Sequence, residues 1–275
     1  MAGRHGPKVT PSRQRGTTFR KPVLRLFTTS LWEFPSQHYL DYEELPGGRI
    51  VRTSSTQGVQ GDPKYEGATP SWVVWQLLQR CTSPGETVLD PMCGSGTTLD
   101  VAADLGRVGM GFDLAPRRTD IRRADARSLP LARGSVDFVF IDPPYSTHLR
   151  YSDDPACIGR LDAGGQDEGR AYYDAMRQVF AEMHRVLRPG RHAAVYVSDS
   201  WASGRLLPIG AELWSLLRPR FELVDWIAVV RRNADLKDTG RKRAATGAGP
   251  LLRGFNHLLL VRRSGSTPRP PKRRG

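Results

Sequence analysis

Two patterns of apolar residues alternate along the chain, one typical of β-strands and the other typical of helices. Short apolar runs bounded by turn residues predict seven strands, at 86–89, 107–112, 121–124, 136–141, 192–197, 221–230 and 255–261. Apolar residues spaced three and four apart predict helices at 70–81, 99–105, 169–187 and 207–217. This alternation predicts an α/β domain with a mostly parallel sheet. Because no helix separates the last two strands, they are expected to form an antiparallel hairpin at one edge.

The chain before the first long strand divides into three parts. Residues 1–22 mix Gly, Pro, Ser and Thr with basic residues and predict a disordered tail. Residues 23–66 predict a short strand at 23–27 and an irregular, aromatic-rich extension packed across one edge of the core. Thr69 is the expected N-cap of the first helix, with Pro70 in its first turn. The main domain is therefore expected at 67–263, and residues 264–275 predict a second basic tail.

The segment 90–98, Asp-Pro-Met-Cys-Gly-Ser-Gly-Thr-Thr, joins the first long strand to its helix. Glycines in such a turn let the backbone take positive φ and let a ligand lie against bare main chain. The amide groups at the helix start offer hydrogen-bond donors. The segment therefore predicts a nucleotide-like ligand site.

The turn lacks the residues that bind phosphates. No lysine lies between Asp90 and Asp113, which excludes a P-loop, and Leu99 stands where a dinucleotide fingerprint has its third glycine. Asp113 ends the next strand, at the spacing where such folds hold ribose hydroxyls. An adenosine cofactor without phosphates satisfies both conditions, and this favours S-adenosylmethionine.

A second motif follows the strand at 136–141. This strand runs directly into Asp142-Pro143-Pro144-Tyr145, whose prolines fix a rigid, extended exit. Together with the glycine turn and Gly111-Phe112-Asp113, it resembles the S-adenosylmethionine-dependent amino-methyltransferases of DNA, the N4-cytosine and N6-adenine methylases. The resemblance covers roughly residues 67 to 262 and implies a Rossmann-like class I methyltransferase fold.

The second motif can support amino-group methylation. The Asp142 carboxylate and the Pro143 carbonyl can accept both hydrogens of an exocyclic amine and direct its lone pair at a methyl donor. Tyr145 would stack on the base, which must leave the duplex. The alternative for Asp142 is a strand-end aspartate that caps a turn. The predicted catalytic residues are Asp142, Pro143, Pro144 and Tyr145.

Further residues are candidates for cofactor binding. Asp90 is a candidate for the methionine ammonium, Asp113 for the ribose, and Asp125, by its family position, for the adenine amino group. Strand-end or turn carboxylates are the alternatives for Asp90 and Asp125. The full predicted set is Asp90, Met92, Cys93, Gly94, Gly96, Thr97, Asp113 and Asp125.

Met92 and Cys93 depart from the usual DNA-enzyme pattern and resemble guanine N2 methylases of RNA. An RNA base methylase is therefore one alternative. A catalytically silent nucleic-acid-binding module is another, although Gly94, Gly96 and Asp142 are all in place. A small-molecule or protein amine methylase is disfavoured by the charge distribution. We favour DNA over RNA as the substrate.

The net charge of +13 is concentrated in three segments. Residues 1–22 carry six Lys or Arg and no acid, residues 264–275 carry four and no acid, and residues 231–253 carry seven against two acids. Such a distribution suits a polyanion. The long internal loop 231–254 is the predicted nucleic-acid contact, with the candidates Arg231, Arg232, Arg241, Lys242 and Arg243.

Other features limit the class of protein. The 275 residues contain no apolar run of membrane-spanning length and no signal-peptide pattern, so we expect a cytoplasmic protein. The three cysteines and six histidines are scattered, which predicts no disulfide framework and no metal site. No sizeable target-recognition domain is apparent, so sequence selectivity is expected to be broad or to reside in a partner subunit. A homo-oligomer is the alternative to such a partner.

Overall fold

A computed structural model describes residues 26–35, 42–45, 49–52, 60–62, 65, 67–147, 149, 151–202, 204–232, 251 and 253–265. The tail predicted at 1–22 lies outside the described residues, as do residues 266–275 of the second tail and residues 233–250 of the basic loop.

The described residues form one large sheet and two small hairpins. The large sheet has eight strands in the order β1, β11, β12, β8, β7, β4, β5, β6. Strands β2 and β3 pair with each other, as do β9 and β10. The bounds are β1 Leu31–Pro35, β2 Tyr42–Leu45, β3 Arg49–Arg52, β4 Thr87–Asp90, β5 Val108–Asp113, β6 Ile121–Arg123, β7 Val136–Ile141, β8 Leu187–Val197, β9 Ser200–Ala202, β10 Arg205–Leu207, β11 Phe221–Arg232 and β12 Asn256–Arg263.

Two helices cover each face of the large sheet. Helices α1 (Ser71–Cys81) and α2 (Thr97–Asp104) pack on one face, and α3 (Arg170–Val186) and α4 (Ile209–Leu217) on the other. Every residue of β7 is buried, and its side chains alternate between the two cores: Phe138 and Phe140 face α1, while Val139 and Ile141 face α3. Such burial on both faces is typical of a central parallel strand. Among the described residues, no helix is long and apolar enough to cross a membrane.

The predicted Rossmann-like α/β fold is confirmed, but the edge of the sheet differs from the prediction. Strands β11 and β12 are antiparallel, as expected. They do not form the edge, because β1 pairs in parallel with β11 and adds an eighth strand. The strand predicted at 23–27 is wrong in its described part, since Leu26 and Phe27 are not in a strand. The Phe27 N–H instead donates to Gln76 Oε1 of α1 at 3.1 Å.

Two further boundaries were predicted incorrectly. Pro70, not Thr69, is the residue before α1, and the Thr69 hydroxyl is hydrogen-bonded elsewhere. Helix α3 ends at Val186 and β8 begins at the next residue, five residues before the predicted start at His192. A register shift between Val136 and Phe138 of β7 accommodates the early part of β8, which contains Pro189 and Gly190.

Glycines on β5 compensate for the missing third glycine of the turn. A Cβ on Gly111 would lie 2.6 Å from Leu99 Cδ1 and 2.8 Å from Cys93 Sγ. A Cβ on Gly109 would lie 3.1 Å from Leu99 Cδ2. The bare strand therefore lets Leu99 hold α2 close to the sheet, a role that a helix glycine plays in dinucleotide-binding folds.

A buried carboxylate joins the amino ends of three neighbouring strands. Asp137 is 2% exposed. It accepts the Thr87 N–H at 3.0 Å and pairs with Arg188 at 2.5 Å and Arg191 at 3.4 Å. Burial alone would raise the pKa of Asp137, but these hydrogen bonds and charges outweigh burial and hold it below the ordinary value.

We predict that Asp137→Ala lowers the free energy of unfolding by about 2 kcal/mol at neutral pH, because the Thr87 N–H loses a charged acceptor. The stabilisation should be present above the ordinary carboxyl pKa of about 4 and vanish as the pH falls through the lower folded value. Urea titrations at several pH values measure the difference. The control Asp174→Ala breaks an ion pair with Arg177 in which both side chains are half exposed and should cost about 0.5 kcal/mol.

Candidate active site

One cleft lies at the carboxyl ends of β4, β5 and β7. These strands are parallel neighbours, so the residues at or just after their ends meet at the same edge. The cleft opens to solvent. The predicted site residues that line it are Asp90, Met92, Cys93, Gly94, Thr97, Asp113, Asp125, Asp142 and Pro144.

The glycine turn is held open by the end of β5. Gly94 and Gly96 have φ values of +50° and +84°, a region that only glycine enters readily. The Gly94 N–H donates to Asp113 Oδ2 at 2.9 Å, and the Ala115 N–H donates to Asp113 Oδ1 at 2.9 Å. Each carboxylate oxygen keeps a second acceptor position, so Asp113 can still bind a ligand hydroxyl.

Tyr65 covers the turn from the opposite side. A Cβ on Gly94 would lie 3.1 Å from Tyr65 Oη. Arg117 lies over the Tyr65 ring at 5.0 Å, and burial raises the pKa of the phenol to about 12. No sequence signal pointed to Tyr65, because it lies in the irregular extension.

Gly96, although predicted to contact the cofactor, does not line the cleft. It is the N-cap of α2, and the Arg118 guanidinium occupies the space beside it, where a Cβ would lie 2.3 Å from Nη1. Arg118 in turn pairs with Asp100 and Asp120. Gly96 therefore contributes to the shape of the turn without contacting the cleft.

Asp90 is the most deeply buried carboxylate of the cleft, with 4% exposure. It accepts hydrogen bonds from Thr98 Oγ1 at 2.5 Å and from the Met92 N–H at 3.1 Å. Burial raises the pKa of Asp90 to about 7 despite these bonds, and the nearby Asp113 charge adds to the rise. A cationic ligand group would favour the ionised form.

Asp125 has a basic partner outside the cleft. Arg127 Nη2 lies 2.6 Å from Asp125 Oδ2 and also donates to the Ala156 carbonyl at 2.9 Å. Burial raises the pKa of Asp125, but the bonds and charge of Arg127 outweigh burial and lower it overall. The carboxylate therefore stays ionised and is held against the 156–158 segment.

Four carboxylates line the cleft: Asp90, Asp113, Asp125 and Asp142. Among its described lining residues there is no Lys, Arg or His. Such a charge distribution opposes a phosphate-bearing ligand and favours a cationic one. The absence of a phosphate-binding lysine in the sequence is thus matched by the charge of the folded cleft.

The catalytic loop predicted at 142–145 is supported by contacts from two sides. Thr69 Oγ1 donates to Asp142 Oδ2 at 2.7 Å. On the other side, the hydroxyl of the fully buried Tyr172 of α3 donates to the Pro144 carbonyl at 2.8 Å. Ser146 ends the loop with φ +70°, a conformation that costs about 1 kcal/mol or more in a residue with a side chain.

Pro143 and Tyr145 lie beside the cleft and do not line it. Pro143 is buried, and Tyr145 packs against the core on the α3 side. Tyr151 is the second tyrosine of the cleft lining, after Tyr65. Burial raises the pKa of its phenol, so it remains protonated. In the sequence, Tyr151 lies close enough behind the predicted catalytic loop to be a candidate pocket residue, whereas Tyr172 is expected from its helical spacing only as a core residue.

Cys93 has a packing role. It is 5% exposed and forms a small core with Leu99 and Ile121. Burial raises the pKa of its thiol, so a thiolate nucleophile is disfavoured. Within the described ranges, no group of three His, Cys, Asp or Glu side chains could hold a metal ion.

The predicted basic loop begins later than expected. Arg231 and Arg232 were assigned to the loop 231–254, but β11 continues through both. They pair with Phe34 and Pro35 of β1, at the carboxyl edge of the sheet. Arg241, Lys242 and Arg243 lie outside the described residues.

The sheet order, with a glycine turn after the central strand β4, defines a Rossmann-like class I methyltransferase fold. Residues 13–123 match a family model described as DNA methylase, of the N6/N4 type. The match confirms the predicted family resemblance over the glycine turn and Asp113, and it ends before Asp142. No curated protein sequence matches this one.

Solved methyltransferase structures resemble the chain at low identity. TrmN from Thermus thermophilus is 21% identical over 72% of this chain and 50% of its own, with a TM-score of 0.47. An S-adenosylmethionine-dependent methyltransferase from Methanosarcina mazei is 14% identical over 69% of this chain and 98% of its own, with a TM-score of 0.44. A Burkholderia thailandensis 1,6-didemethyltoxoflavin-N1-methyltransferase is 19% identical over 70% and 76%, with a TM-score of 0.42. The chain thus spans half the length of TrmN.

The raised pKa of Asp90 predicts a pH-dependent stability. The neutral carboxyl is favoured in the fold, so its stabilisation is complete below about pH 4 and is lost as the pH rises through about 7. Relative to Asp90→Asn, the wild type should lose free energy of unfolding over this window, on the order of 4 kcal/mol in total. Chemical denaturation of both proteins between pH 4 and 8 measures the difference.

A second variant tests the cause. Thr98→Val removes the hydroxyl that favours the ionised carboxylate, so the loss of stability should become larger and extend to higher pH. A stability difference between wild type and Asp90→Asn that stays constant with pH would contradict this account.

Proposed function

We propose that this protein is an S-adenosylmethionine-dependent methyltransferase that modifies an exocyclic amino group of a nucleobase, adenine N6 or cytosine N4 in DNA. One observation carries the proposal. A single acidic cleft joins the glycine turn, with its bare backbone, to Asp142, which is held by Thr69 at the exit of the neighbouring strand. A cofactor and an amine bound there would be adjacent.

The lining of the cleft fits the cofactor. Asp90 would bind the methionine ammonium, Asp113 the ribose hydroxyls and Asp125 the adenine amino group, while Met92, Cys93 and Thr97 complete the wall. The acidic lining suits a ligand with two cationic groups and no phosphate. When bound, S-adenosylmethionine supplies a methyl group carried on a sulfonium.

Asp142 would prepare the nucleophile. The lone pair of an exocyclic base amine is delocalised into the ring, so it must be drawn out of conjugation. An Asp142 carboxylate oxygen and the Pro143 carbonyl would accept the two amine hydrogens and favour tetrahedral nitrogen. Thr69 fixes the carboxylate and Tyr172 fixes the backbone of the loop, so the acceptors need little reorganisation. Tyr145 packs beside the cleft and not in its lining, so its proposed stacking contact with the displaced base lies at the edge of the cleft.

The second candidate is guanine N2 methylation of RNA, which the Met92-Cys93 pair favours. The buried position of Cys93 beneath Gly111 weakens this argument, because packing against the strand explains the side chain without any contact to a base. Substrate pools of DNA and RNA distinguish the two candidates.

Nucleoside mass spectrometry tests the proposal. DNA and RNA pools treated with wild-type protein and labelled cofactor should yield a methylated amine in DNA. Asp142→Ala should lower the rate by at least about a hundredfold, because it removes a preorganised acceptor. The methylated nucleoside also identifies the base.

Two conservative variants separate positioning from folding. Thr69→Val should reduce kcat and leave cofactor binding unchanged, since the hydroxyl contacts Asp142. Thr69→Ser keeps a hydroxyl and should retain most of the wild-type rate.

In the mass-spectrometry test, label that appears only in RNA would overturn the choice of DNA. Full activity in Asp142→Ala would overturn the catalytic assignment.

The basic loop is proposed to contact phosphates. Changing Arg241, Lys242 and Arg243 to Gln should flatten the dependence of log Kd on log salt by about 0.9 for each duplex phosphate that the variant no longer binds. The matched control changes Arg133, Arg218 and Arg220, which precede β7 and β11 at the opposite edge of the sheet. Binding isotherms over a salt series measure both slopes, and equal slopes for the loop variant and the control would remove the loop from the interface.

A further inference from the structure

A short hairpin that no part of the proposed reaction uses extends from the end of β8. Its strands β9 and β10 are antiparallel, with Leu206 opposite Trp201 and Leu207 opposite Ser200. Residues opposite each other point to the same face. Ser200 and Leu207 are 4% and 5% exposed, so their face packs on the protein. Trp201 and Leu206 form the other face and are 37% and 40% exposed.

The hairpin is connected to the proposed catalytic loop through the 163–164 segment. Leu207 packs on Gly164, where a Cβ would lie 2.6 Å from Leu207 Cδ1, and Arg205 donates to the Gly164 carbonyl at 3.2 Å. The preceding Ala163 N–H donates to the Ser146 hydroxyl at 3.1 Å. Ser146 immediately follows Tyr145. The position of the hairpin is therefore coupled to that of the proposed base-stacking tyrosine.

The start of β12 brings a second aromatic residue to the same edge. Phe255 is 45% exposed, and its ring lies 5.1 Å from the His257 ring. His257 Nε2 lies 3.1 Å from Asp199 Oδ2, and Asp199 directly precedes the hairpin. Trp226 Nε1 donates to His257 Nδ1 at 3.0 Å, which fixes the ring.

Arginines lie at the same edge of the sheet as these aromatic residues. Arg253 is two residues before Phe255. Arg205 is exposed, but it pairs with Ala202 and therefore lies on the face of Leu207, opposite to the face of Trp201. Burial raises the pKa of Asp199, but the hydrogen bonds from His257 and the Gly210 N–H, together with the charge of Arg253, outweigh burial and lower it overall. Exposed aromatic rings at an edge that also carries arginines are what stacking platforms for nucleic acid strands present.

The size of the patch argues against a large protein partner. Its outward face consists of two partly exposed side chains, with Phe255 nearby. A standard protein interface needs about 800 Å² on each partner, whereas one stacked base needs only one ring. The occupant that fits is a nucleobase.

We propose that Trp201 stacks on a DNA base next to the target nucleotide and, with Leu206 as its support, holds the strand open while the target base is in the cleft. The inference rests on the proposed function. It assigns to Trp201 a role in positioning the DNA strand. Trp201 lies outside the two motifs, on a hairpin linked to Tyr145 through Ser146 and the 163–164 segment.

Two variants of Trp201 separate stacking from apolar cover. Trp201→Leu keeps an apolar side chain but has no ring and should weaken binding of a fluorescein-labelled, mixed-sequence single-stranded DNA by about tenfold. Trp201→Phe keeps a ring and should bind nearly as well as wild type. Fluorescence anisotropy measures both affinities, and calorimetry with S-adenosylmethionine should show unchanged cofactor binding.

Leu206 has a matched control at the other edge of the sheet. Leu206→Ala should weaken DNA binding, and Leu223→Ala should not, although both leucines are 40% exposed. Leu223 lies near the start of β11, at the amino edge.

A fluorescence experiment tests the same role in duplex DNA. With 2-aminopurine placed beside the target base, Trp201→Leu should reduce the fluorescence rise that accompanies unstacking.

Several outcomes would overturn the inference. The first two are wild-type DNA affinity in Trp201→Leu and equal losses of affinity in the Leu and Phe variants. The third is an effect of Trp201→Leu on the binding of an RNA oligonucleotide with no effect on the binding of DNA. The fourth is a dimer, detected by light scattering, that Trp201→Leu dissociates. A failure of the proposed function would give a different result from a failure of this inference. Wild-type protein would then methylate no nucleic acid, while the Trp201 variants would still differ in DNA affinity.

Discussion

The parallel pairing of β4 with β7 is the constraint on which the candidate site depends. The register sets Val88 beside Phe138 and Leu89 beside Val139, so the glycine turn that follows β4 and the proline-containing loop that follows β7 leave the sheet side by side. Neither loop forms a cleft alone. Pairing the strands puts a backbone-lined binding surface next to a fixed carboxylate, and this proximity is what transfer of a single carbon requires.

The cleft concentrates negative charge at some cost in stability. Asp113 and Asp142 are partly exposed, and Asp125 is paired with Arg127. Asp90, by contrast, is almost fully enclosed, with Thr98 and Met92 as its partners. A buried carboxylate without a cationic partner favours its neutral form. The same site would favour a ligand that brings a positive charge. The buried Asp90 carboxylate, which lowers the stability of the free protein, would therefore increase the preference for a cationic ligand.

Support for the proposed catalytic loop comes from distant parts of the chain. Thr69 precedes α1, Tyr172 belongs to α3, and the 162–164 segment holds Ser146 through Asp162 and Ala163. Both faces of the sheet thus contribute contacts to one short loop. Its rigidity comes from the two prolines together with these three tertiary supports, and the hairpin β9–β10 connects to the third of them.

Sequence patterns predicted the order of the main helices and strands, the glycine turn and the four acidic positions of the cleft. These follow from local periods, from turn residues and from the rule that parallel strands end at one edge. Sequence periodicity did not predict β1 as the edge strand, because an edge strand is defined by its partner rather than by its own pattern. It also misplaced Thr69, since a hydroxyl before a helix can cap that helix or bond across the fold, and only packing decides between them. The positions of Tyr65, Tyr151 and Tyr172, and the exposure of Trp201 on the hairpin, likewise depend on contacts between residues far apart in the chain. No local pattern encodes such contacts, because they form only when distant segments pack together.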